Sequence, residues 1–299
     1  MQDLLGRLVR FLLALPQPTI VATSIVPFLS SKELITSDSI LSNLHSIAYV
    51  AIFYQLCFIL GQYVLFPPIA AFVSDSAHSK RKLINQSAVH FVSLVQSIVI
   101  LYVSISCLVS PQYSSENYTA EERIFNDHRD TEIVCVFAIG YFIWDIYISL
   151  FYSTLPFVLH ALISTAVFCI GLKPYIQYYA PIFLLFELSN PFLNIRWFST
   201  KYFKGTKNKL LLIFQLINNL LLLLVFFFAR ICWGWYQIGK LLYDFYQIHD
   251  QTGFLLCETI VIVTGNFILN VLNLVWFSTM LSIAVKTITN KSRSVKKTH

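Results

Sequence analysis

The chain has 299 residues, of which 57% are hydrophobic and only 12% are charged. Soluble domains carry about 25% charged residues, so this composition, with a mean hydropathy of +0.67, excludes a pair of soluble domains and indicates a polytopic membrane protein. The net charge of +6 is spread over short loops and the C-terminal tail, which excludes a basic face that binds nucleic acid.

The first element is a short amphipathic segment. Residues 3–15 place Arg7 and Arg10 among leucines, which is typical of a helix that lies along the membrane surface. The small-residue cleavage pattern of a signal peptide does not follow cleanly, so we expect the segment to stay in the protein. Residues 1–45 are therefore predicted to form a segment that is amphipathic or irregular and precedes the spans.

Seven apolar runs follow, each near the roughly 20 residues that a helix needs to cross a bilayer. They cover residues 47–66, 88–109, 133–152, 155–172, 175–195, 210–233 and 256–285. Pro174, Pro181 and Pro191 interrupt the fifth run and predict a broken or re-entrant element there. The expected fold is all-α, a polytopic membrane helix bundle of about seven helices. Residues 46–79 hold the first of them, 80–285 form the main transmembrane domain and 286–299 form a basic tail.

Basic residues occur between the first and second runs, between the fifth and sixth, and after the seventh. They are Lys80, Arg81, Lys82, Lys201, Lys204, Lys207, Lys209, Lys291, Arg293, Lys296 and Lys297. Seven passages put all three segments on one side, which the positive-inside rule makes cytosolic. We therefore predict a lumenal N-terminus and a cytosolic C-terminus. The acidic loop 110–132 then lies in the lumen, where Asn117 begins an Asn-Tyr-Thr glycosylation pattern.

The chain ends in the sequence Lys-Lys-Thr-His, with Lys296 and Lys297 as its lysine pair. This ending resembles the dilysine retrieval signal of endoplasmic reticulum membrane proteins, which is an address read by receptors. It predicts the endoplasmic reticulum membrane as the location, with the Golgi as a second compartment and coat proteins as partners. The alternative is a basic tail that is merely solvated.

A polar block ends the fifth run. Glu187, Asn190 and Asn194 are spaced to share one face of a helix, and Pro191 is expected to bend that helix and leave the carbonyl of Glu187 bare. Ionisable side chains at membrane depth cost about 2.5–3.5 kcal/mol each on insertion scales and are functional candidates for that reason. Arg196 follows toward the cytosolic end, where an arginine can reach the interface. The alternative is a kinked helix whose polar groups only bond to their neighbours.

Other ionisable residues occur on neighbouring spans. Asp145 lies midway through the third span, His160 near the start of the fourth, and His90 near the start of the second. A lone histidine is more often a packing residue, but Asp145, His160 and Glu187 together predict an acid–base site if the three spans meet. Arg230 is expected at the lumenal boundary, facing an anionic headgroup.

Two residue classes are interpreted as structural. The intramembrane asparagines are predicted to hold helices together by hydrogen bonds; they are Asn218, Asn219, Asn266, Asn270 and Asn273. The six cysteines contain no C-x-x-C pair, so neither a metal site nor a disulfide framework is predicted.

Residues 187–197, which read E-L-S-N-P-F-L-N-I-R-W, resemble an E-x-S-x-P-x-x-N-x-R-W stretch of the TLC-domain family, in its TLCD-like branch. Asp145 after a Gly-Tyr pair, His90 and His160 occur in the matching order, and the resemblance covers roughly residues 80–285. It implies a helical membrane bundle of the endoplasmic reticulum or Golgi that is concerned with lipids. The family includes ceramide synthases, whose active site carries paired histidines, whereas this chain has the single His160 before Ala161.

Three functions follow as expectations. The first is a role in membrane lipid homeostasis through a lipid held inside the bundle, with membrane lipids as the partners. The residues expected to bind that lipid are Glu187, Ser189, Asn194, Arg196 and His90. The second is a ceramide-synthase-like N-acyltransferase in which His160 is the base, Asp145 tunes it, and acyl-CoA is a substrate; no cofactor is expected. The third is a cargo or trafficking factor between the endoplasmic reticulum and the Golgi.

Overall fold

A computed structural model of the chain describes residues 2–73, 76–114, 118–126 and 129–296. The predicted glycosylation acceptor Asn117 and the tail residue Lys297 lie outside these residues, and Lys296 is the last residue described. The described part contains helices and connecting turns and no strand, which confirms the all-α prediction.

In chain order the helices are α1 (Gln2–Leu13), α2 (Val21–Ser31), α3 (Asp38–Ala71), α4 (Ala77–Leu108), α5 (Pro111–Ser114), α6 (Ala120–Phe125), α7 (Arg129–Tyr152), α8 (Leu155–Leu172), α9 (Ala180–Leu184), α10 (Asn190–Tyr202), α11 (Lys209–Ile248) and α12 (Leu256–Lys296). Six of them, α3, α4, α7, α8, α11 and α12, are long and apolar enough to cross a bilayer. The protein is therefore a multi-pass membrane protein.

The proline-interrupted fifth run is broken, as predicted. It consists of a 3₁₀ turn at Gln177–Tyr179, α9, a second 3₁₀ turn at Leu185–Ser189, and α10. Tyr179 at its start contacts Asp244 near the end of α11, whereas Tyr202 at its end lies 2.6 Å from the hydroxyl of Ser87 near the start of α4. The broken run thus extends from one end of the bundle to the other.

The two ends of the bundle differ in charge. At the end that we call the basic end, α4 and α11 begin and α10 finishes, so Lys80, Lys201 and Lys209 lie there. At the opposite, acidic end, Asn43 donates a 2.5 Å hydrogen bond to Glu132, and Lys173 pairs with Glu258 at 3.1 Å. The basic loops that the sequence grouped on one side therefore do share one end.

Several helices extend beyond the apolar runs that predicted them. Helix α3 begins at Asp38 instead of residue 47, and α11 continues to Ile248 instead of residue 233. Helix α1 packs Val9 and Leu12 into the core and leaves Leu4 exposed, as expected of an amphipathic helix. Hydropathy marks only the part of a helix that meets the bilayer interior, so it underestimates helices that continue into the interface.

Close packing of α3 against α7 forms the centre of the core. Gly140 of α7 allows this approach, since a Cβ atom there would lie 2.7 Å from the Cβ of Val50 and 2.9 Å from the carbonyl oxygen of Ile47. Aromatic rings fill the layer beside it, with Tyr54 edge-on to Tyr141 at 5.2 Å. Tyr141 of this layer also lines the polar interior of the bundle.

Candidate functional site

A cavity of about 620 Å³ lies among α4, α7, α8, α10, α11 and α12. We call it the chamber. Its lining includes the exposed residues Thr154, Thr200 and Lys201, so its mouth faces the basic end. Apolar side chains form part of its wall; they are Val89, Phe142, Phe157, Leu193, Phe226, Trp276 and Met280.

Glu187 and Arg230 form an ion pair at the inner end of the chamber. The Arg230 Nη2 atom lies 3.5 Å from Glu187 Oε1, and the two residues are only 5% and 4% exposed. Arg230 also donates hydrogen bonds to Ser189 Oγ at 2.8 Å, Asn190 Oδ1 at 2.8 Å and Asn273 Oδ1 at 3.3 Å. Each nitrogen of the guanidinium therefore has a partner, as a buried charge requires.

The chain geometry at Pro191 explains how Glu187 reaches this position. Pro191 occupies the first turn of α10, where its missing N–H costs nothing, and the 3₁₀ turn before it carries Glu187. The prediction of a bare carbonyl at Glu187 is wrong, because the N–H of Asn190 donates to it in a 3₁₀ bond. The Asn190 side chain also donates to Glu187 Oε2 at 2.5 Å.

Arg230 is the residue whose position the sequence reasoning missed. It was expected at the lumenal boundary, but it lies inside α11 on a π-helical turn, Phe227–Cys232, and packs 5.2 Å from the ring of Phe226. The error arose from ending the sixth span at residue 233. Apolar residues at i, i+3, i+7 and i+10 continue the helix beyond that point and were the available signal; they are Ile238, Leu241, Phe245 and Ile248.

Asp145, His160 and Glu187 all line the chamber. Asp145 accepts a hydrogen bond from Ser149 Oγ at 3.2 Å. The His160 ring lies edge-on between Phe142 and Trp276, at 5.8 and 5.7 Å between centroids. Within the described ranges, neither ring nitrogen of His160 has a hydrogen-bond partner, so the imidazole remains available to a bound molecule.

His90 and Asn194 form a second polar pair, closer to the mouth. The His90 Nδ1 atom lies 2.8 Å from Asn194 Oδ1, and the imidazole stacks on Trp197 at 4.2 Å. Asn194 donates from Nδ2 to Ser93 Oγ and to the carbonyl of Asn190, both at 3.0 Å. Because these bonds fix the amide, Asn194 acts here as a positioning residue for His90.

A smaller cavity of about 50 Å³ continues from the chamber toward the acidic end. Both cavities are lined by Phe142, His160, Glu187 and Arg230. Three of the asparagines that were interpreted as structural lie near this cavity or bridge helices. Asn266 and Asn273 line the small cavity, and Asn218 donates to the carbonyl of Phe192 at 2.9 Å.

Helix α6 caps the acidic end. A capping box between Thr119 and Glu122 begins this helix, and Arg123 donates two hydrogen bonds to the carboxylate of Asp244 on α11. These bonds raise the pKa of Arg123 above its usual value. Tyr179 donates to the same carboxylate, so the cap joins α6, α11 and the broken run.

Comparison with known proteins adds family information to this geometry. The family described as TLC domain matches residues 86–282, a stretch that contains the whole polar lining of the chamber. An uncharacterized TLC domain-containing protein of Saccharomyces cerevisiae is 54% identical over an alignment of 308 positions, which includes 96% of this chain and 97% of that protein.

Two further relatives are more distant. Topoisomerase I damage affected protein 4 of Saccharomyces cerevisiae is 31% identical over 84% of this chain and 88% of its own length. An uncharacterized TLC domain-containing protein of Schizosaccharomyces pombe is 32% identical over 80% of this chain and 78% of its own. No solved structure matches the chain.

Proposed function

Because this chain belongs to the TLC domain family, we propose that it is an endoplasmic reticulum membrane protein that acts in membrane lipid homeostasis by holding a lipid in the chamber. The observation that carries this proposal is the chamber itself. Its volume of about 620 Å³ lies in the range of about 300–1,000 Å³ that is usual for small-molecule sites.

The lining has the mixed character of a lipid site. Apolar side chains such as Leu193 and Phe226 form wall area for hydrocarbon, while Glu187, Arg230 and His160 present polar groups at the inner end. Ionisable groups inside a bundle are costly, and here they surround open space instead of filling a packed interface. A bound molecule with a polar headgroup would satisfy the groups that remain free.

The proposed location depends on the tail and on the charge distribution. The basic loops and the C-terminal helix α12 finish at the same end of the bundle, which supports a cytosolic position for Lys296. A dilysine-type address is read from the cytosol, so retention in the endoplasmic reticulum agrees with that orientation. Microscopy of the tagged chain with and without residues 296–299 tests the address, since unchanged location after truncation contradicts it.

Filling the chamber should expel its lipid. Replacing Leu193 by tryptophan adds bulk to the chamber wall, so we expect Leu193→Trp to lose most of the lipid that co-purifies with the wild type. The measurement is the amount and identity of the lipid that stays bound per protein molecule, determined by mass spectrometry after detergent has removed loosely associated lipid.

The matched control is Leu216→Trp on the outer surface of α11, where the leucine is 59% exposed and an added ring meets only the surrounding membrane. This variant should retain lipid as the wild type does. Equal lipid loss in both variants, or a wild-type lipid profile identical to the bulk membrane, would refute the proposed function.

A second candidate function is favoured by one specific observation, the free imidazole of His160. Acyl transfer from acyl-CoA to an amine needs a base that takes the proton of the nucleophile. The nitrogen then bonds to the acyl carbon, the C–S bond breaks, and the thiolate of coenzyme A recovers the proton from the imidazolium. Histidine suits this exchange because its ordinary pKa lies near neutrality.

His160→Ala should lower this activity by about 10²- to 10⁴-fold, the usual contribution of a general base. The assay is release of free coenzyme A thiol from acyl-CoA by the protein in nanodiscs that contain a long-chain amine. His249→Ala, at an exposed position of the acidic end, serves as the control and should have no effect. No thiol release by the wild type, or equal release by His160→Ala, excludes the acyltransferase.

A further inference from the structure

The charged groups of the chamber do not cancel. Glu187 and Arg230 neutralise each other at the inner end. The remaining charged residues of the lining are Asp145 on α7, and Arg196 and Lys201 on α10 near the mouth. The chamber therefore presents one unpaired carboxylate and two unpaired cations to whatever occupies it.

Asp145 lacks a counter-charge. Its carboxylate accepts one hydrogen bond, from Ser149, and within the described part of the chain no lysine, arginine or histidine lies at ion-pair distance from it. A carboxylate removed from water requires a cationic or hydrogen-bonding partner. Since Asp145 lines the chamber, the ligand can supply that partner.

The free acceptors favour a primary ammonium group. Asp145 keeps an oxygen without a donor, and the imidazole of His160 is open on the same cavity. A primary ammonium carries three N–H donors that can bond to both residues. A quaternary ammonium has no N–H and would leave these acceptors unfilled, although aromatic faces can attract it.

The mouth has the complementary chemistry. Arg196 is part-buried and its guanidinium forms no ion pair among the described residues, while the Lys201 ammonium lies 5.9 Å from the ring centroid of Trp197. Guanidinium and ammonium groups together are typical ligands of a phosphate. The basic residues also lie at the end where a headgroup would enter.

From these groups we propose that the lipid of the chamber is a phospholipid whose headgroup joins a phosphodiester to a primary ammonium. The ammonium contacts Asp145 and His160, the phosphate contacts Arg196 and Lys201, and the apolar wall beside Phe157 and Trp276 takes hydrocarbon. The assignment rests on the proposed function, since it names the class of lipid that this same chamber holds.

The experiment is a competition followed by native mass spectrometry. The full chain in detergent is offered equal amounts of dioleoyl phosphatidylethanolamine, phosphatidylcholine, phosphatidylglycerol and dioleoylglycerol. We expect the wild type to retain the ethanolamine lipid about tenfold over the choline and glycerol lipids, as charged hydrogen bonds that only one competitor makes would give. All three phospholipids should be retained in larger amounts than dioleoylglycerol.

The variants separate the two halves of the headgroup. Asp145→Asn should lower the retained ethanolamine lipid to about the level of the choline and glycerol lipids, so that the preference is lost while all three phospholipids are still retained in larger amounts than dioleoylglycerol. The double variant Arg196→Gln/Lys201→Gln should instead bring all phospholipids down toward dioleoylglycerol. Asp250→Asn, an exposed aspartate at the acidic end, is the matched control and should leave the wild-type ratios unchanged.

The outcomes distinguish this proposal from the one on which it rests. If the wild type retains lipid without a headgroup preference, or if Asp145→Asn keeps the preference, the headgroup assignment is overturned and the lipid chamber stands. If the wild type retains no lipid of any kind, both fail. Displacement of the bound lipid by soluble phosphoethanolamine would assign the site to the free headgroup and overturn the lipid assignment.

Discussion

Replacing Arg230 by alanine is expected to lower the free energy of unfolding by about 3–5 kcal/mol, the usual consequence of leaving a buried charge without its partner. The variant removes the ion pair to Glu187 and three hydrogen bonds, to Ser189, Asn190 and Asn273. The measurement is thermal or denaturant unfolding of the protein in detergent.

The double variant Glu187→Gln/Arg230→Gln provides the internal comparison. It removes both charges and keeps hydrogen-bonding groups, so it should be destabilised less than the sum of the two single glutamine variants. Arg7→Ala is the control, because the Arg7–Asp3 pair is exposed on α1 and should contribute little. Additive effects of the two glutamine substitutions would show that Glu187 and Arg230 contribute independently and would contradict a coupling between the two charges.

Two glycine-to-alanine substitutions should change the free energy of unfolding in opposite directions. Gly140→Ala places a Cβ atom 2.7 Å from the Cβ of Val50, which cannot move without displacing α3, and the overpacking should cost about 1–3 kcal/mol. Gly239→Ala on α11 meets no atom within 4 Å and should stabilise the helix by about 0.5–1 kcal/mol.

The same unfolding assay measures both variants, and each serves as the control for the other. The pair separates the helix propensity of alanine, which is common to both, from the steric effect, which belongs to Gly140. An equal gain of stability at both positions would show that α3 and α7 are not in close contact at Gly140.

Much of this architecture follows from local sequence. Apolar runs predicted all the long helices, and Pro174, Pro181 and Pro191 predicted the broken fifth passage, because both signals act within a few residues. Helix ends were predicted less well. At Asp38 and Ile248 the helices continue into amphipathic sequence, where mean hydropathy falls although the helical period persists.

The candidate site was only partly predictable. Costly polar residues such as Glu187 and Asp145 are conspicuous in an apolar sequence, so the residue types pointed to segments that line the chamber. Glu187 finds its partner Arg230 only because α11 packs against the broken run. The position of Arg230 along α11 was not predicted, because the end of that helix was placed at residue 233. Which residues of two packed helices lie side by side depends on tertiary packing, and residue spacing along the chain does not predict it.

The cap at the acidic end determines how molecules exchange. Ile124 of α6, Leu241 of α11 and Tyr179 have no exposed surface and pack in one buried cluster, and Tyr179 also lines the small cavity. Among the described residues this cluster lies between the small cavity and the acidic end, so we expect a bound molecule to enter and leave through the mouth at the basic end. Turnover should follow a dissociative course, in which the departure rate of the resident stays constant however concentrated its competitor becomes.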